Sequence, residues 1–148
     1  MDVTQKMFIR KVKLMDIKLA TASDIEILSE HDRHISKAEL ENLVRLNRIY
    51  IVENNGEFVG WLRCNLFWDN TPFMNMLFVF DEYRGSGIGR MLVEHWEREM
   101  KSLGYETVMT STASDEYAQH FYMKLGYKVI GGFMPDGDPY EVILSKRV

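Results

Sequence analysis

Three glycines at alternate positions, in the run Arg84-Gly85-Ser86-Gly87-Ile88-Gly89, are the residues of this sequence best suited to do chemistry. A doubly charged phosphate linkage needs several N–H donors converging in a small space. A chain turning from a strand into a helix supplies them when side chains do not block the approach. Gly85, Gly87 and Gly89 lack those side chains. A helix starting near Gly87 adds the positive end of its dipole, and Arg84 and Arg90 bracket the loop with fixed charge. Two other phosphate loops fail on spacing. A dinucleotide fingerprint needs a glycine where this chain has Arg90, and a nucleoside-triphosphate loop needs a Gly-Lys-Ser/Thr ending that is missing. A glycine-rich helix start without a ligand would weaken the fold by about 1 kcal/mol per glycine for no return.

The elements that must position this loop can be read from periodicity. Residues 17–20 form a short first strand, and the hydroxyls of residues 21–23 cap a helix carrying Ile25, Ile27 and Leu28. Ser36 and Glu39 have capping-box spacing before a second helix, with Leu40, Leu43, Val44 and Leu46 as its apolar face. The period then changes to two. Residues 49–52 and 58–66 read as strands joined by Asn55-Gly56, a pair that readily takes positive φ, and residues 73–80 as a central strand covered on both faces. After the loop, residues 88–103 are helical, with Ile88, Met91, Leu92, His95, Trp96, Met100 and Leu103 on one stripe and Gly104 as the stop. Glu94 with Arg98 and Glu97 with Lys101 are the expected solvent-side pairs. A strand at 107–110, a helix at 114–125 closed by Gly126, and strands at 128–130 and 141–144 around a Pro135–Pro139 turn complete the chain. The order implies an α+β fold with both parallel and antiparallel pairing.

Composition narrows the partners. A chain of 148 residues, 46% hydrophobic and 27% charged, suits one domain over 1–148 that buries roughly two-thirds of its unfolded surface. Residues 1–15 mix Lys6, Arg10, Lys11 and Lys13 with apolar residues and read as an amphipathic lead-in or a loose extension. A net charge of -4 gives no basic field for a nucleic acid. A single cysteine, Cys64, fits a small apolar strand residue in a reducing compartment. No stretch approaches the roughly 20 apolar residues of a membrane span and no signal-peptide core is present, so a cytoplasmic protein is expected.

The run from Val79 through Leu92, with Arg84, Gly87 and Gly89 in register, resembles the acetyl-CoA loop of the GCN5-related N-acetyltransferases (GNAT), whose signature is Arg or Gln, two residues, Gly, one residue, Gly or Ala. Residues 115–127, Asp-Glu-Tyr-Ala-Gln-His-Phe-Tyr-Met-Lys-Leu-Gly-Tyr, are similar to that family's late helix, usually Asn, two residues, Ala, two residues, Phe-Tyr, three residues, Gly-Phe. The likeness covers about residues 16–145 and implies a mixed, mostly antiparallel sheet flanked by helices. It also implies acetyl transfer from acetyl-CoA to a small-molecule or peptide amine by direct transfer, with a homodimer as one assembly; no metal is expected, and charge and hydropathy add the expectation of no nucleic acid and no membrane.

Site roles follow from the same likeness. The backbone of Leu77, Phe78 and Val79 should hold the pantetheine arm, with the Val79 N–H polarising the thioester carbonyl. Gly85, Ser86, Gly87, Ile88 and Gly89 should cradle the pyrophosphate between Arg84 and Arg90, and Asp115 stands where the family has a cofactor-contacting Asn. Tyr122 fills the position of the acid that protonates the leaving thiolate, although an aromatic on a helix is otherwise a core residue. Asn75 stands where many relatives carry a basic Glu, and an amide accepts no proton at neutral pH. Acceptor contacts are expected from His31 and His34 in the loop 30–34, and from Trp68 and Asp69 in the loop 67–72. His31, Asp32 and His34 also suggest metal ligands or a plain solvated loop, and Trp68 suits packing equally well. A non-catalytic acyl-CoA-binding protein of the same fold is the alternative, favoured by Asn75 and opposed by Tyr122. An interaction module without cofactor leaves the glycines unexplained.

Overall fold

The computed structural model describes residues 2, 3 and 15–148. The lead-in or extension expected over 1–15 lies outside the described residues apart from residues 2, 3 and 15. The strands are β1 (Met15–Leu19), β2 (Ile49–Asn54), β3 (Glu57–Phe67), β4 (Thr71–Val79), β5 (Thr107–Ala113), β6 (Lys128–Phe133) and β7 (Glu141–Arg147). The helices are α1 (Ile25–His31), α2 (Lys37–Arg45), α3 (Ile88–Ser102) and α4 (Ala118–Lys124), with short 3-10 turns at Ala22–Asp24 and Asp81–Tyr83. The strands form one seven-stranded sheet in the order β1-β2-β3-β4-β5-β7-β6. β4 runs parallel to β5, whereas β1–β2, β2–β3, β5–β7 and β6–β7 are antiparallel, as the α+β reading requires. Among the described residues no helix is long and apolar enough to cross a membrane.

The chain packs as two compact units, one taking in the described residues through Cys64 with Met76–His95, the other Asn65–Asn75 with Trp96–Val148. In the first unit, Leu28 of α1 and Leu40 and Leu43 of α2 bury themselves against Ile49 and Ile51 of β2 and Trp61 of β3. Burial of each such side chain is worth about 2 kcal/mol, which is what holds helices this short. Ser36 caps α2 by accepting the Glu39 N–H at 3.2 Å, the forward half of the expected box. Leu46, expected on the buried face, is exposed because it falls just past the last helical turn. The β2–β3 hairpin turns on Asn55 (φ 54°) and Gly56 (φ 85°), as the dipeptide required. Gly60 of β3 is pressed so closely on β4 that an added Cβ would lie 2.6 Å from the Phe78 carbonyl oxygen.

In the second unit, β5 and β7 pair along seven positions from Thr107↔Arg147 to Ala113↔Glu141, burying Val108 and Leu144 completely. Both strands run further than the sequence suggested, since Ser111, Thr112, Ser145 and Lys146 join the ladder. Residues 114–117 form a turn instead of the start of a helix, the Ser114 N–H going to the Tyr140 carbonyl at 2.7 Å. Gly104 and Gly126 end their helices at φ 97° and 98°.

Candidate functional site

The loop after β4 is built by local hydrogen bonding. The Tyr83 N–H donates to the Phe80 carbonyl at 2.9 Å and the Arg84 N–H to the Asp81 carbonyl at 3.1 Å, so the chain reverses over Asp81–Tyr83. The Ser86 hydroxyl donates to the Tyr83 carbonyl. Gly85 and Gly87 then take φ 77° and 85°, a region costly to any residue with a Cβ, and at both positions a Cβ would meet nothing of the chain within 4 Å. α3 begins at Ile88 with the Gly87 carbonyl accepting the Met91 N–H at 3.0 Å. The first-turn amides of a helix have no intrahelical partner and carry the positive dipole end. Open space, left-handed glycines and the free first-turn amides of a helix are what a loop needs to take the oxygens of a pyrophosphate.

The two arginines are less free than the sequence implied. The Arg84 Nε donates to the Val79 carbonyl at 2.8 Å, its Nη1 lies 2.9 Å from Asp81 Oδ1, and the guanidinium sits 5.1 Å from the Phe78 ring centre. Arg90 pairs with Glu94 at 2.8 Å, so Glu94 faces back one turn and not forward to Arg98. Just past the end of β4, the Phe80 N–H donates to the Val59 carbonyl at 3.0 Å. Strand amides alternate sides, so the Val79 N–H points away from β3, on the side of its own carbonyl. Leu77 and Phe78 are half-buried, the Phe78 ring tilted against Trp61 at 4.9 Å, and Asn75 is exposed.

Tyr122 is buried on α4. Burial, opposed by a hydrogen bond with Thr110 and reinforced by the charge of Glu116, pushes its hydroxyl up to about 12, so it is protonated at neutral pH. Thr110 in turn donates to the Met74 carbonyl at 3.0 Å. Its register pair Met74↔Thr110 follows Phe73↔Met109 in the β4–β5 ladder. Asp115 is exposed in the turn ahead of α4, three residues before the helix.

The expected acceptor residues are placed as follows. His31 is the last residue of α1 and not a loop residue, its ring edge-on to Phe80 at 4.9 Å and tilted on Phe58 at 5.8 Å while still solvent-exposed. His34 is exposed, and its N–H donates to Asp32 Oδ1 at 3.2 Å. Asp32 does not face solvent. It is buried, accepting from Trp61 Nε1 at 3.0 Å and from Arg63 Nε at 2.6 Å. Among the described residues no group of three or more His, Cys, Asp or Glu could hold a metal ion. Trp68 and Asp69 occupy the β3–β4 turn with φ 53° and 64°, Trp68 80% exposed and resting on Phe67 at 4.9 Å. Sequence reasoning also missed Glu97, which is buried on α3 and accepts from the Tyr127 hydroxyl at 2.8 Å and Lys146 Nζ at 2.9 Å. Its signal was its position, four residues after Val93 and three before Met100, both buried.

Residues 15–127 match the family model described as Acetyltransferase (GNAT) family. Peptidyl-lysine N-acetyltransferase YjaB of Escherichia coli (strain K12) is 38% identical over 72 residues, 47% of this chain and 46% of that protein. The chain spans about half the length of the first curated relatives it matches. Ard1 from Thermoplasma volcanium superposes with a TM-score of 0.78 at 16% identity, covering 91% of this chain and 98% of that one. The PaiA N-acetyltransferase from Thermoplasma acidophilum, solved in complex with coenzyme A, gives 0.75 at 20% identity over 90% and 99%. These two likenesses establish the fold, a mixed sheet flanked by helices.

Proposed function

Because the chain belongs to the acetyltransferase (GNAT) family, we propose that it moves an acetyl group from acetyl-CoA to an amine by direct transfer, as a single acyltransferase domain in the cytoplasm. One observation carries the donor half of this reading. Gly85 and Gly87 hold positive φ with open space where a Cβ would stand, at the entrance of a 15-residue helix. The main-chain amides of Gly85, Ser86, Gly87, Ile88 and Gly89 would hold the pyrophosphate, Arg84 and Arg90 adding charge. The backbone of Leu77, Phe78 and Val79 would hold the pantetheine arm, with Asp115 near the cofactor. When bound, acetyl-CoA supplies an acyl group activated as a thioester.

The rest of the mechanism belongs to the chain's own groups. The Val79 N–H is a fixed dipole for charge that develops on the acyl oxygen. Tyr122, with a pKa near 12, keeps its proton at neutral pH and donates a hydrogen bond to the leaving sulfur. Asn75, at the position of the expected base, accepts no proton at neutral pH. An alkylammonium has a pKa of about 10.4, so turnover should rise with pH as the acceptor loses its proton. Alkylamines such as a peptide lysine, on which YjaB is named as acting, are the proposed acceptor class, contacted by His31, His34, Trp68 and Asp69.

Titration calorimetry should detect acetyl-CoA binding to the chain and none to Gly87→Val, whose branched side chain fills the cradle. Thiol release is then followed with acetyl-CoA and either a lysine-containing peptide or spermidine. Lack of affinity for both coenzyme A and acetyl-CoA would end the transferase reading. Binding without thiol release would favour the acyl-CoA-binding alternative.

A further inference from the structure

A buried polar chain in the second unit ends on Tyr122 and has no part in the chemistry described so far. Lys146 Nζ on β7 donates to Glu97 Oε1 at 2.9 Å, and the Tyr127 hydroxyl donates to Glu97 Oε2 at 2.8 Å. Both carboxylate oxygens are thereby engaged in a site where Glu97 is 7% and Tyr127 2% exposed. The Lys146 ammonium also lies 5.7 Å from the Tyr127 ring centre, and its stem packs 3.5 Å from where a Cβ on Gly126 would be. Tyr127 touches Tyr122 twice. Its N–H donates to the Tyr122 carbonyl at 3.1 Å, and the two rings meet edge-to-face at 5.6 Å.

The packing alone does not need the Tyr127 hydroxyl. The family pattern has Phe after this glycine, and a Phe ring would make the same edge-to-face contact. The hydroxyl adds a hydrogen bond to a buried anion that is itself anchored on another strand, and such charge-assisted bonds are the strong ones. Burial and then the Glu97 charge push the Tyr127 hydroxyl well above the usual tyrosine range, so the bond stays protonated and intact at any working pH. A ring fixed at its far end has one orientation to offer its neighbour.

We propose that Tyr127 is a positioning residue for Tyr122: Glu97, held by Lys146, anchors the Tyr127 hydroxyl, and the Tyr127 ring fixes the orientation of the Tyr122 ring. The inference rests on the reading of Tyr122 as hydrogen-bond donor to the leaving sulfur. Its test is a double-mutant cycle on the full chain. Thiol release is measured with acetyl-CoA and spermidine or a lysine-containing peptide, and acetyl-CoA hydrolysis by water is the fallback reaction. Tyr122→Phe should lower kcat about 100-fold. Tyr127→Phe should lower it about tenfold, with KM for acetyl-CoA and amine within about twofold of the parent. The double variant should be no slower than Tyr122→Phe, because a residue acting only through Tyr122 has nothing left to position. Should Tyr127→Phe fold poorly, Glu97→Gln, which keeps an oxygen for the Tyr127 hydroxyl, should hold kcat within about threefold where Glu97→Leu loses about tenfold.

The outcomes separate cleanly. A slow Tyr122→Phe beside a fully active Tyr127→Phe, or a double variant losing the product of the two single effects, overturns the inference and leaves the Tyr122 role standing. A fully active Tyr122→Phe overturns both, as does a parent chain inert in all three reactions.

Discussion

Among the described residues each compact unit buries one carboxylate, and the two are satisfied by different chemistry. Asp32 accepts from two nitrogens of one guanidinium, Arg63 Nε at 2.6 Å and Nη2 at 3.3 Å, and takes the Trp61 indole N–H at 3.0 Å. Glu97 faces a point charge on a flexible stem and a neutral phenol, at 2.9 and 2.8 Å. A guanidinium presents a fixed fork to a carboxylate, whereas an ammonium holds by distance alone. The Asp32 cluster pins the segment that carries His31 and His34 to β3. The Glu97 cluster ties the chain after α4, and with it Tyr122, to α3 and β7. A rigid anchor thus serves the candidate acceptor side and a more compliant one the candidate donor of the hydrogen bond.

The sharpest way to break this contrast is Asp32→Ala. It leaves a buried guanidinium without an anion and should lower the unfolding free energy by about 4 kcal/mol in denaturant titration. Lys146→Met, at a side chain 25% exposed, should cost only about 1 to 2 kcal/mol, the phenol still serving Glu97. Equal losses would erase the distinction. The smallest effect is the most telling, because the two clusters should fail at opposite ends of the pH scale. Burial alone would raise the Asp32 carboxyl, but the Arg63 hydrogen bond and charge, with Trp61 and the His34 N–H, bring it below the usual aspartate range. Its contribution is therefore complete above pH about 4 and lost as pH falls further through the folded value. Tyr127 is raised, so its contribution is complete below pH about 10 and lost as pH rises beyond. Denaturation midpoints taken from pH 2 to 11 should flatten on the acid side in Asp32→Asn and on the alkaline side in Tyr127→Phe.

What sequence could reveal divides along the same line. The glycine loop, the Asn55-Gly56 turn and the helix stops at Gly104 and Gly126 are local demands on φ, and each was legible because the residue and its reason are neighbours. The carboxylate clusters join residues 29 to 49 positions apart, a distance over which spacing carries no signal. Glu97 was accordingly read as a surface partner of Lys101, and Asp32 as a loop acid between two histidines. The backbone of Trp68 escaped for another reason: an indole does not advertise positive φ, although an aspartate such as Asp69 tolerates it, and the tight β3–β4 turn imposes it on both. Tyr122 was legible as a position by resemblance, but its burial and raised pKa come from packing on β5 that no local pattern encodes.

Gly60 has a consequence for anyone surveying tolerated substitutions. With a main-chain oxygen 2.6 Å from where a first side-chain carbon would go, even alanine forces two strands apart. A saturation screen for growth or turnover will score this position as strictly as the phosphate cradle, although it meets no reactant. Scanning maps of this protein therefore need a parallel measure of abundance before intolerance is equated with chemistry.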